Sequence, residues 1–158
     1  DQGRENVYQE LGLRPFINAG GSYTQFGGSL MDPKVVEAMQ EASKQYVSIL
    51  ELQTAVGQRI ASLVGAEAAL VTSGCASAVT LATAACVSEG DQDKIKRLPD
   101  TRGMKNEVIL QKSHRIEYDH ALRNVGVSLV EIENWQELES AINPKTAMLF
   151  PALNIQGH

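Results

Sequence analysis

Ala68-Ala69-Leu70-Val71-Thr72-Ser73-Gly74-Cys75-Ala76-Ser77-Ala78 is the stretch whose reading decides the fold. Its first four residues are a short apolar run, which predicts a buried strand over 68–72. The run breaks into Thr-Ser-Gly and then into small residues, which predicts a helix over 75–88. A strand that ends in glycine and small hydroxyl residues at a helix N-terminus suits an anion. The first-turn N–H groups have no intrahelical partner, the helix dipole favours negative charge, and glycine allows close approach. Ser73 and Ser77 add hydroxyl donors. The same residues also read as a tight strand–helix turn with Ser73 as a plain N-cap. The sequence leaves both readings open.

On the C-terminal side, three more apolar runs predict strands: 107–112 (Glu-Val-Ile-Leu-Gln-Lys), 127–132 (Val-Ser-Leu-Val-Glu-Ile) and 146–151 (Thr-Ala-Met-Leu-Phe-Pro). Helical pieces are predicted between them, at 120–125 and from Asn134, where the Asn-Trp-Gln-Glu spacing is like a capping box. Alternating strands and helices predict an α/β fold with a mostly parallel sheet and right-handed crossovers. In such sheets ligands sit beyond the carboxyl ends of the strands. That rule brings the 72–77 loop, Ser113-His114-Arg115 and Ala152–Asn154 around one crevice. Residues 89–106 are polar and longer than an ordinary connection, so they read as an insertion, a lid or a subunit contact with a solvated face.

On the N-terminal side, Asp32-Pro33 starts a helix with Val35, Val36, Met39, Ala42, Tyr46 and Val47 at helical spacing. A second helix runs from about Leu52 to Val64, with Leu52, Val56, Ile60 and Leu63 as its stripe. Both stripes are expected to be core. Farther upstream, a short helix over 5–11 stops at Gly12. Gly20-Gly21 and Gly27-Gly28 then flank Tyr23 and Phe26 in a loop built either to flex or to approach a ligand closely.

The composition bounds the rest. The 158 residues make one domain of ordinary size, and with 43% hydrophobic but 5% aromatic residues its core is aliphatic. A net charge of −5 and the lack of a basic stripe argue against a nucleic-acid partner. No apolar stretch is long enough to cross a membrane. Cys75 and Cys86 on one helix lie about 16 Å apart along its axis, too far for a disulfide, so free thiols and a cytoplasmic location are expected. No dinucleotide fingerprint, P-loop or nucleophile elbow is present. His114, Asp119 and His120 could be drawn as metal ligands, but 119 and 120 point to different faces of a helix, and no metal is expected.

Read in order, Pro15-Phe16-Ile17-Asn18-Ala19-Gly20-Gly21, Val64-Gly65-Ala66-Glu67, Thr72–Ala78, Leu98-Pro99-Asp100, Gly103–Ile109, Gln111–Arg115 and Tyr118–Ala121 resemble fold-type I pyridoxal-phosphate enzymes. The branch is the aminotransferase class V-like one that includes L-seryl-tRNA(Sec) selenium transferase and D-glucosaminate-6-phosphate ammonia-lyase. The resemblance implies a three-layer sandwich, with 33–158 as the first part of the cofactor-binding large domain and 1–32 as an N-terminal segment with its Gly-rich loop. It implies that Ser73, Gly74, Cys75, Ala76 and Ser77 hold the phosphate of pyridoxal 5'-phosphate and that His114 lies against the pyridine ring. Asn18, Gly20 and Gly21, with the Gly27-Gly28 pair, would line the substrate side. Arg115 is a candidate for a substrate carboxylate or phosphate, with a surface ion pair as its equal alternative.

Such enzymes bind the cofactor through a Schiff-base lysine and pair its ring nitrogen with an Asp. None of Lys34, Lys44, Lys94, Lys96, Lys105, Lys112 and Lys145 matches that lysine. The expectation is therefore the N-terminal portion of a longer homo-oligomeric lyase or transferase, inactive alone. Its substrate would be an amino acid or amino-sugar acid, and the reaction a β-elimination or β-replacement. The acidic balance favours lyase chemistry over selenium transfer to a tRNA-bound substrate. The rival expectation is a non-catalytic module that binds a phosphorylated ligand or mediates oligomerisation.

Overall fold

The computed structural model describes residues 6–151, so the expected contribution of Ala152–Asn154 lies outside the described residues. The chain forms two compact units, Asp1–Ile49 and Leu50–His158.

In the first unit, helix α1 (Val7–Glu10) is closed by a capping box. The Asn6 side chain accepts from the Gln9 N–H, and Gln9 Oε1 accepts from the Asn6 N–H at 3.0 Å. The Gly-rich loop is an ordered aromatic turn. Phe26 meets Phe16 and Tyr23 edge-on, at centroid distances of 5.9 and 6.3 Å. Helix α2 (Pro33–Ala42) starts as predicted, with the Asp32 side chain accepting from the Lys34 N–H at 2.8 Å. Its stripe is not core: Val35, Val36 and Met39 are all exposed. Periodicity fixes which face of a helix is apolar, not what covers it, and no described residue buries this one.

Among the described residues the second unit is built on three parallel strands in the order β2-β1-β3. They are β1 (Glu107–Gln111), β2 (Ser128–Ile132) and β3 (Thr146–Leu149). Val108, Ile109 and Leu110 of the central strand are fully buried, as a strand covered on both faces requires. The Lys145 carbonyl accepts from both Asn106 and Glu107 N–H groups at 2.9 Å, and the β1–β3 register shifts there. Helix α3 is Ile49–Val64 and helix α4 is Cys75–Ser88. Val87 of α4 forms the core with Met104, Val108, Leu122, Val125 and Val127. The α/β character is as expected. Among the described residues the sheet has three strands, with helices packed on it.

The predicted strand over 68–72 is not a strand. The segment is extended but has no ladder partner among the described residues, and Leu70 and Val71 are exposed. It lies instead along α3, where Gln53 Nε2 donates to the Val71 carbonyl at 2.9 Å. On α3 itself, Leu52 and Leu63 are exposed, while Gly57 and Ala61 are buried. The small residues make the contact because the 69–71 backbone comes close. A Cβ on Gly57 would sit 2.4 Å from the Ala69 carbonyl oxygen. Gly57→Ala gains about 1 kcal/mol of helix propensity but loses about 1–3 kcal/mol to overpacking against rigid backbone. A net destabilisation of about 1 kcal/mol is expected in urea unfolding, and a stabilised variant would show that the 69–71 segment lifts freely.

Residues 89–106 are not a detachable insertion. They contain helix α5 (Gln92–Arg97), capped by Asp91, and a stretch in which Thr101 and Met104 are buried. The Thr101 hydroxyl donates to the Gly126 carbonyl at 2.8 Å, which ties this stretch to the turn entering β2. Among the described residues no helix is long and apolar enough to cross a membrane.

Candidate functional site

Gly74 is the N-cap position of helix α4, and no side chain caps the helix. The plain N-cap alternative for Ser73 therefore fails. The Ser73 hydroxyl instead lies 2.9 Å from the Ser77 hydroxyl, across the first turn. Gly74 takes φ 133° and ψ 172°, a conformation that L side chains rarely adopt, so glycine is required at the turn itself. Thr72 Oγ1 donates to the Gly74 carbonyl at 2.9 Å and holds the turn from the other side. Two hydroxyls thus stand together at a helix start whose N–H groups have no intrahelical acceptor. Cys75 is exposed and Cys86 half-buried, both as free thiols.

Beside this turn lies a groove of about 600 Å3. One wall is Thr72, Ser73, Ala76 and Ser77, and the other is Glu117, Tyr118, His120 and Asn124. The 3-10 turn Glu117–Asp119 and helix α6 (His120–Arg123) that follows it carry the second wall, and α6 is tied to α4 where Thr80 Oγ1 donates to the Ala121 carbonyl at 2.9 Å. Glu117 and Asn124 have no motif of their own in the sequence, and Tyr118, though it opens a segment that carries the resemblance, has no site role implied there. They enter the site because α6 packs on α4, a tertiary contact that spacing does not encode.

His114 does not line this groove. It follows β1 in a short 3-10 turn, Lys112–His114, and its ring meets Trp135 with centroids 6.3 Å apart at 61°. Its Nδ1 is buried and has no hydrogen-bond partner among the described residues. Ser113 and Lys112 are exposed beside it, with Lys112 paired to Glu133 at 3.2 Å.

Arg115 takes the ion-pair alternative. Its guanidinium donates to Asp119 at 2.5 Å and to Glu131, while Arg123 donates to the other Asp119 oxygen at 3.3 Å. The Asp119 side chain is 4% exposed. Burial pushes its carboxyl up, but Arg115 and then Arg123 outweigh burial and hold it below the usual carboxylate range. A substrate anion at Arg115 would have to displace two carboxylates.

Asn18, Gly20 and Gly21 belong to the first unit. Asn18 Oδ1 accepts from the Gly20 N–H at 2.9 Å, and Asn18 Nδ2 donates to the Gly21 carbonyl at 2.8 Å. The asparagine holds its own glycine turn in shape. Among the described residues no three His, Cys, Asp or Glu side chains converge as a metal site.

The fold and site define a parallel α/β unit with a hydroxyl-lined groove at an uncapped helix start. No family model matches the chain. D-glucosaminate-6-phosphate ammonia lyase of Salmonella typhimurium is 37% identical over 154 residues, covering 91% of this chain and 42% of that protein. A 5'-C-glycyluridine monooxygenase-decarboxylase from a Streptomyces species is 34% identical over 152 residues, covering 90% of this chain and 38% of that protein. A solved structure of D-glucosaminate-6-phosphate ammonia-lyase superimposes with a TM-score of 0.87 at 36% identity, covering 92% of this chain and 42% of that one. The chain is similar over nearly all of its own length to this ammonia lyase, one of the enzymes whose likeness its motifs carry. It spans about two fifths of the length of the relatives it matches.

Proposed function

We propose that the protein is a cytoplasmic, homo-oligomeric, pyridoxal-phosphate-dependent lyase acting on an amino acid or amino-sugar acid. The observation that carries the reading is the Ser73–Ser77 hydroxyl pair at the uncapped start of α4, in a chain related to an amino-sugar-acid lyase. The donor set suits a phosphate monoester: two hydroxyls, first-turn N–H groups and a glycine where a side chain would crowd the anion. Ser73, Gly74, Cys75, Ala76 and Ser77 would hold the phosphate, and His114 would lie against the ring. Asn18 and the turn it braces would serve the substrate side. When bound, the cofactor would act as an electron sink after removal of the substrate α-proton.

The relatives differ in reaction. One is named as an ammonia lyase and the other as a monooxygenase-decarboxylase. The lyase reading follows the relative that is also matched in three dimensions.

The test is an absorption spectrum of the full-length gene product purified with pyridoxal phosphate, before and after borohydride. A visible band that borohydride abolishes supports the reading, whereas a colourless protein sinks it. Ser77→Ala is expected to weaken cofactor binding about tenfold, the loss of one hydrogen bond to a charged group. Equal affinity in the variant would remove Ser77 from the site.

A further inference from the structure

We propose that Trp135 is a positioning residue for His114, fixing the plane of its imidazole beyond the carboxyl ends of β1 and β2. The inference rests on the reading above, in which His114 lies against the cofactor ring, and it adds the residue that holds that imidazole in place. Strands β1 and β2 are adjacent and parallel, and their last registered pair is Gln111 with Ile132. His114 follows Gln111 by three residues and Trp135 follows Ile132 by three. The two strands therefore deliver the two rings to the same end of the sheet. The rings meet at a centroid distance of 6.3 Å with 61° between planes, within the range of an edge-on aromatic contact.

A histidine ring is ordinarily oriented by a hydrogen bond at one nitrogen. Here Nδ1 is buried and has no partner among the described residues, so nothing at that atom sets the ring's rotation. The backbones that carry the two rings are held separately. Lys112 pairs with Glu133 across the two loops, Arg115 pairs with Glu131, and the Asn134 side chain accepts from the Gln136 N–H at 3.0 Å. These ties place the loops and leave the imidazole plane to the indole. Trp135 is 40% exposed and lies outside the buried cluster around Val108, so its packing serves its neighbour more than the core.

Two readouts on the full-length protein test this. First, the carbon-bound imidazole proton shifts of His114 are recorded in histidine-labelled protein without cofactor, assigned by loss of the signal in His114→Asn. Second, pyridoxal phosphate is titrated against wild type, Trp135→Ala and Trp135→Phe, with melting temperatures measured alongside. Trp135→Ala is expected to move the His114 shifts and to weaken cofactor binding about two- to tenfold, the equivalent of one aromatic contact. Trp135→Phe is expected to restore the affinity, and melting is expected to stay near wild type in both. Unmoved His114 shifts in Trp135→Ala overturn the proposal. So does an affinity loss that follows melting temperature and is not rescued by Phe. If wild type binds no pyridoxal phosphate, the functional reading falls, and the positioning role is then decided by whether Trp135→Phe keeps the His114 shifts near wild type while Trp135→Ala moves them. If wild type and Trp135→Ala bind equally, the reading stands and the positioning role falls.

Discussion

Gly126→Ala is expected to lose about 3–5 kcal/mol of unfolding free energy, with a melting temperature lower by on the order of 10 °C. Gly126 lies in the turn between α6 and β2 at φ +90°, where any side chain adds strain. A Cβ there would also sit 2.0 Å from the Pro99 carbonyl oxygen and 3.0 Å from its carbon. Both are backbone atoms, so no rotamer change relieves the clash. The 99–106 segment cannot simply retreat. The Thr101 hydroxyl donates to the Gly126 carbonyl, the Asn106 side chain donates to Thr101, and the Ser128 N–H donates to the Asn106 carbonyl. Gly103→Ala is the control: its φ is +76°, yet nothing lies within 4 Å of the added Cβ. It is expected to lose about 1 kcal/mol, the strain alone. Similar losses for the two variants in chemical denaturation would show that Pro99 does not press on the turn.

The contrast shows what the sequence carried and what it did not. The four apolar runs, the small-residue helix after Gly74 and the Asp32-Pro33 start are local signals, and α2, α4 and β1 to β3 form where those signals lie. The 68–72 run has the same local signal as β1, but a strand exists only when a neighbour completes its ladder, and no described residue does so. The stripe of α2 fails as core for the same reason. Residues 89–106 fail in the opposite direction. Their charge masks Thr101 and Met104, two buried residues without periodicity, which hydrogen bonding and packing seat against the sheet.

The candidate site divides similarly. Ser73, Gly74 and Ser77 were legible because a hydroxyl pair around glycine at a helix start is a local pattern with a direct chemical meaning. The groove roles of Glu117, Tyr118 and Asn124 were not, since these residues reach it through the packing of α6 and its flanking turn against α4. Arg115 was ambiguous by nature. A guanidinium fork fits a ligand carboxylate and a protein carboxylate equally well, and only the positions of Asp119 and Glu131 distinguish them.

Those carboxylates make the second large expectation. Asp119→Asn is expected to destabilise the protein by about 1–3 kcal/mol at pH 7. The side chain is buried, but both guanidiniums reach water, which places the pair toward the weaker end of buried ion pairs. The loss has a definite pH dependence. The Asp119 carboxyl is held below its ordinary range in the fold, so its contribution is fully present above about pH 4. That contribution disappears as pH falls through the lowered value and the carboxylate takes up a proton. Wild type and Asp119→Asn are therefore expected to converge in stability on acidification, because protonated Asp119 carries no more charge than asparagine. Glu89, held down by Lys105 and Lys94, titrates alike in both proteins and cancels from the difference. Urea unfolding at pH 7 and at steps below pH 4 reads this directly. A gap that stays constant across the series would mean that shape, not charge, is what Asp119 contributes. A gap that closes would make the Arg115–Asp119–Arg123 cluster the electrostatic clamp of the segment that carries His114 and the second wall of the groove.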